Sequence, residues 1–130
     1  MSSYHYVFAR PVADAPDLVA RLGNLLGTQF KRVDFEYADY MGTFHRVAID
    51  VSLSHDFGMN EEDEDEELPL SRYPLCVTFR DLDKNEERQE RTARHVFEAL
   101  KSSNTYALLL VFDLQQLLGA YTPEGITGSR

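Results

Sequence analysis

Seven consecutive carboxylates, Glu61, Glu62, Asp63, Glu64, Asp65, Glu66 and Glu67, form the densest chemical feature of the chain, with Asp56 just upstream. Like charges in such a block repel one another and cannot leave water together, so the segment reads as a solvated loop. One chemistry it suits is attraction of a basic partner: the acids speed encounter, then pair with Lys or Arg side chains that otherwise hold an anion. A divalent-cation site is the other. Setting Asp56 first in an EF-hand loop puts Asn60 fifth and Glu67 twelfth, but Gly58 falls where the third ligand belongs and Glu61 where the sharp turn needs glycine. The flanking segments are strand-like rather than helical, so no specific metal site is expected. The plain alternative is a loop that only keeps the protein in solution.

His5, His45, His55 and His95 are scattered, with no HExxH pattern and no i, i+4 pair to preorganise zinc. His55 beside Asp56 is the one local pair suited to proton transfer, and with His45 it supplies the candidates for an enzymatic reading. Cys76, the only cysteine, alternates with apolar residues and reads as a buried, unreactive thiol. No GxSxG, Walker-type or GxGxxG pattern is present, so neither a nucleophile elbow nor a phosphate cradle has a candidate. Lys84, Arg88, Arg91 and His95 share the solvent side of a predicted helix, but the acid-before-base pairs Glu87 with Arg91 and Glu90 with Arg94 compensate that stripe. Tyr40, Phe44 and Tyr73, together with Tyr121, fall near predicted strand ends, where large rings of low rotamer entropy serve recognition as well as packing.

The elements that must position these residues follow from periodicity. Tyr4 to Arg10 is rich in aromatic and β-branched types and ends at Pro11, as a strand does. Asp14 as a cap, Pro16 in the first turn, Leu18, Val19, Leu22, Leu25 and Leu26 on one face, and Gly27 as a stop predict a helix. Alternation predicts one strand from Arg32 to Tyr40 and another over 45–53, joined through the MGTF segment as a hairpin. In the second of these, Val47, Ile49, Val51 and Leu53 share a face, with Asp50 and Ser52 on the other. Leu75, Val77 and Phe79 then alternate with Cys76, Thr78 and Arg80. A second helix is predicted over 83–102, its first two turns polar nearly all round and so projecting beyond the core. Residues 107–112 read as a central strand buried on both faces. For 113–121, Asp113 and Gln116 resemble a capping box and favour a short helix over a returning strand.

The resulting order is β-α-β-β-β-α-β plus a short C-terminal element. It predicts an α+β two-layer sandwich, a mostly antiparallel sheet of about five strands with two helices on one face. This order resembles a ferredoxin-like fold with an extra strand, a likeness of topology that implies nothing about function. Residues 1–122 are expected to form a single domain with an acidic loop at 55–71, and 123–130 a flexible tail.

The chain has 130 residues, 22 acids against 13 bases and a net charge of −9. Without Glu61–Glu67 it holds 15 acids against 13 bases, a net −2, so the acidity belongs mostly to one loop. Direct nucleic-acid or membrane binding is disfavoured by that charge. The opening MSSYHYVFARP lacks the pattern of a signal peptide. The longest apolar stretch, Tyr106–Phe112, has 7 residues, against the roughly 20 that a spanning helix needs. With a lone cysteine, a cytoplasmic setting is expected. The expected function is a non-enzymatic protein-protein interaction module, most concretely a small acidic inhibitor of a bacterial effector. As an immunity or antitoxin-type protein it would dock on a basic surface of its partner, without a cofactor. A small enzyme using His55, Asp56 or His45, and a structural subunit of a homo-oligomer, are the alternatives.

Overall fold

The computed structural model of the chain describes residues 3–12, 17–54 and 70–123. Along them run β1 (His5–Pro11), α1 (Leu18–Leu26), β2 (Lys31–Phe35), β3 (Ala38–Phe44), β4 (Val47–Ser52), a 3-10 turn (Leu70–Arg72), β5 (Leu75–Asp81), α2 (Glu86–Ser103), β6 (Tyr106–Phe112) and β7 (Gln116–Tyr121). The strands form one antiparallel sheet in the order β2-β3-β4-β5-β1-β6-β7. The molecule is therefore α+β with an antiparallel sheet and, among the described residues, two helices, and the described sheet has seven strands where alternation predicts about five. With the β2–β3 hairpin and β7 set aside, the elements keep the β-α-β-β-α-β order.

Both extra strands come from turns without a glycine signal. Glu36 and Tyr37 break the segment predicted as one strand into β2 and β3, and the MGTF segment lies inside β3. The hairpin between β3 and β4 turns instead at His45 and Arg46, at φ 49° and 69°. Two consecutive left-handed residues match the twist of the flanking strands, the geometry for which Asn-Gly is the usual sequence cue. Asp113 and Leu114, at φ 56° and 58°, do the same between β6 and β7, so 113–121 is a turn and a returning strand rather than a helix. Gly119 of β7 allows the Phe97 ring of α2 to lie 3.2 Å from where a Cβ would stand.

Strand alternation sorts the core. Val7, Ile49, Val77, Phe79 and Leu108 join Leu18 and Leu22 of α1 and Val96 and Leu100 of α2 in one buried cluster. Each such side chain stabilises the fold by about 1.5–3 kcal/mol. Phe8, Cys76, Leu109 and Val111, the opposite alternation set, form a smaller cluster with Leu70. The first helix is capped by the Asp17 side chain, which accepts from the Val19 N–H at 3.2 Å, and it ends at Gly27 in the left-handed region, φ 63°. Asp14 and Pro16 lie outside the described residues.

Helix α2 starts later than its charge pattern predicts, at Glu86 with Asn85 as its cap. Its polar first half does not project: Gln89 and Thr92 are buried. The reason is a network that ties the helix to the sheet. Arg88 donates from Nε and Nη2 to the buried Asp81 at 2.6 and 2.8 Å, and from Nη2 to Asp83 at 2.9 Å. Arg46 also donates to Asp83, at 2.7 and 3.1 Å. These guanidinium bonds hold the Asp81 carboxyl well below the usual carboxylate range and Asp83 at about 2. Gln89 accepts from the Asp81 N–H through Oε1, which leaves its Nε2 to donate to His5 Nδ1 at 2.8 Å. His5 is thus neutral with its proton on Nε2, and burial lowers its pKa against the pull of Glu90.

Candidate functional site

The sheet face away from the helix-bearing cluster carries a groove of about 780 Å³. Alternation puts its floor together. Asp50 and Ser52 of β4, Cys76, Thr78 and Arg80 of β5, and Tyr6 of β1 all point away from Ile49, Val77 and Val7. Register then sets neighbours: Asp50 pairs across the sheet with Thr78, and Thr78 with Tyr6, while Ser52 pairs with Cys76. Arg80 stands opposite Ala48, one diagonal step from Asp50. Tyr4, Ser54, and Glu36 and Tyr37 of the β2–β3 turn complete the lining. Tyr37 is 62% exposed and stacks on Phe35, ring centroids 5.4 Å apart.

Asp50 is the unusual group here. Its side chain is only 7% accessible, and its Oδ1 meets no hydrogen-bond partner among the described residues. Arg80 Nη2 lies 3.7 Å from Oδ2, an ion pair too long for a hydrogen bond. Burial raises the Asp50 pKa above the ordinary carboxylate value, and the Arg80 charge only partly opposes it. Burial likewise pushes the Cys76 thiol up to about 12 and the Tyr6 hydroxyl to about 12. Cys76 Sγ contacts Thr78 Oγ1 at 3.8 Å, and a thiol with so high a pKa stays protonated at neutral pH and is a poor nucleophile. The arrangement is suited to accept hydrogen bonds from a cation rather than to attack a substrate. Among the described residues no three His, Cys, Asp or Glu side chains converge as metal ligands.

Of the residues singled out in the sequence, Asp56, Glu61, Glu62, Asp63, Glu64, Asp65, Glu66, Glu67 and His55 lie outside the described residues. The points where the chain leaves and rejoins the sheet do not. Ser54 lines the groove, and Leu70 belongs to the cluster on the same face. Tyr40 and Phe44 pack at the margin of the helix-side core, whereas Tyr73 packs on the opposite cluster, so the three rings are not brought together. His45 sits in the β3–β4 turn with its ring edge-on to Phe44, and His95 is exposed on α2. Arg88 of the basic stripe is committed to Asp81 and Asp83.

Asp50 and Arg80 escape sequence reasoning as site residues. Alternation places both on the polar side of their strands, which ordinarily means solvent. The only available cue is an acid between Ile49 and Val51 in a strand otherwise built to be buried. Among the described residues no helix is long and apolar enough to cross a membrane. The chain matches no protein-family model, no curated protein and no solved structure.

Proposed function

We propose that this protein is a non-enzymatic interaction module, most concretely a small acidic inhibitor of the immunity or antitoxin type that docks on a basic surface of a partner protein. One observation carries the reading: the segment holding Asp56 and Glu61–Glu67 starts at Ser54 and ends at Leu70, both on the sheet face that bears the groove. The residues that flank the acids therefore stand on the face that holds a buried carboxylate, which supports a reading in which long-range attraction and short-range recognition act together. This takes the molecule as a two-layer sandwich, helices over one side of the sheet and the docking face on the other, supported by the core cluster that both helices share. A cytoplasmic site of action fits the single buried thiol.

The test is affinity capture on the immobilised protein from native lysate, eluted with a salt gradient and repeated with residues 61–67 replaced by Gly/Ser. A basic protein that binds tightly, elutes with salt and loses affinity for the Gly/Ser variant is the expected result. Binding that is indifferent to both salt and the replacement would rule out the electrostatic arm.

A further inference from the structure

Building on that reading, we propose that the groove receives one arginine side chain of the partner protein, its guanidinium seated on the Asp50 carboxylate and flanked by tyrosine rings. Asp50 lines the groove, nine-tenths buried, with Oδ1 lacking any donor among the described residues. Buried acceptors in folded proteins are nearly always paired, so the missing element is a donor. Charge selects its class. Asp50 and Glu36 outnumber Arg80 in the lining. A cationic donor satisfies both the oxygen and that excess. A carboxylate offers about four lone-pair sites, so Arg80 on Oδ2 leaves room for a second cation on Oδ1. The terminal torsion of an aspartate is broad, so a guanidinium entering the groove takes one carboxylate oxygen while Arg80, which stands 3.7 Å away without a hydrogen bond, closes on the other.

Shape selects guanidinium over ammonium. Tyr4, Tyr6 and Tyr37 line the groove, and a planar guanidinium stacks on such rings and sheds water more readily than an ammonium. Tyr rings of this chain already hold both kinds of cation, Arg10 5.7 Å from the Tyr73 centroid, Arg32 5.6 Å from that of Tyr40 and Lys101 5.8 Å from that of Tyr121, so the preference for guanidinium rests on its planarity and weaker hydration. A space of about 780 Å³ admits an arginine side chain with the backbone on either side of it.

An NMR titration of the full chain with Gly-Gly-Xaa-Gly-Gly peptides, Xaa being arginine, lysine or citrulline, tests this. The arginine peptide is expected to shift the amides of Asp50, Thr78 and Tyr6, the lysine peptide to bind about threefold more weakly, and citrulline not at all. Asp50→Asn should weaken the arginine peptide about tenfold. Tyr37→Ala, which removes an exposed ring and leaves the core untouched, should weaken the arginine peptide more than the lysine one. Replacing 61–67 by Gly/Ser should leave the same amides shifting, with less dependence on salt. Equal binding to wild type and Asp50→Asn, or shifts only away from the groove, overturns the arginine receptor and leaves the interaction reading standing. So does a peptide that stays silent while a basic protein still binds. Free arginine or agmatine binding as tightly as the peptide overturns the partner protein as the source of the guanidinium. If neither the peptide nor any basic protein binds, both readings fall.

Discussion

Replacing Asp50 by asparagine removes a charge that the fold holds at a cost. The carboxylate is nearly sealed from water, with Oδ1 unpaired among the described residues, and a buried charge that is only partly paired is costly to keep ionised. Arg80 offsets part of this from 3.7 Å, but its side chain is 34% accessible and its attraction is screened. Asparagine keeps the shape and loses the charge. The expected gain at neutral pH is about 1 kcal/mol, or a rise of about 4 °C in Tm for a domain of this size. The pH dependence gives the sharper check. Because the folded-state pKa of Asp50 is raised, its contribution to stability is fully present below the unfolded value and is lost as pH rises through the folded one. The groups facing it are Arg80, Thr78 and Cys76 of β5, Tyr6 of β1 and Glu36 of the hairpin turn. Of these acids and bases only Asp50 changes in the variant. The advantage of Asp50→Asn should therefore appear at pH 7 and vanish at about pH 3.5, in urea midpoints of both proteins at each pH. A gain equal at the two pH values, or a loss at pH 7, would refute the buried-charge account.

Three further outcomes follow from the packing. Native Cys76, 2% exposed and with its pKa near 12, should react with a thiol reagent at pH 8 no faster than the protein opens, and rapidly in denaturant; fast native labelling would show the strand exposed. Arg88→Ala should lower the urea midpoint distinctly more than Arg94→Ala, since it strands the buried Asp81, whereas Arg94 with Glu90 is an exposed i, i+4 pair worth no more than about 0.5 kcal/mol; equal effects would mean the junction of α2 with the sheet is not held by that fork. Phe79→Ala removes a fully buried ring from the helix-side core and should cost about 3–5 kcal/mol in equilibrium unfolding; a loss below about 1 kcal/mol would place that ring outside the main core.

Short-range pattern carried much of this fold. A face of leucines at helical spacing and a left-handed Gly27 are local facts, so α1 is legible from residues in order, and strict alternation does the same for β4 and β5. Where the chain turns through His45 and Arg46, or Asp113 and Leu114, no glycine or Asn-Gly pair marks the positive φ, and His and Asp favour it only weakly. There the gain from extending the sheet outweighs local preference, which hides β7 and the end of β3, and the break between β2 and β3 at Glu36 and Tyr37 carries no glycine either. The polar start of α2 was misleading in the same way, because its partners Asp81 and His5 come from β5 and β1.

For the candidate site, the chain order alone determined the charge: Glu61–Glu67 carry most of the net −9 whatever the fold. It also determined that Asp50 and Arg80 point to the side of their strands opposite the main core. What the tertiary structure decided is that this side is a walled groove, that Arg80 lies a diagonal step from Asp50, and that the acidic segment begins and ends on that face. These depend on the register between β4 and β5 and on the β2–β3 turn, whose Glu36 and Tyr37 line the groove. Alternation fixes which face each side chain takes, but β4 and β5 are joined by a long connection rather than a tight turn, so which residues stand opposite one another is settled by packing between distant segments.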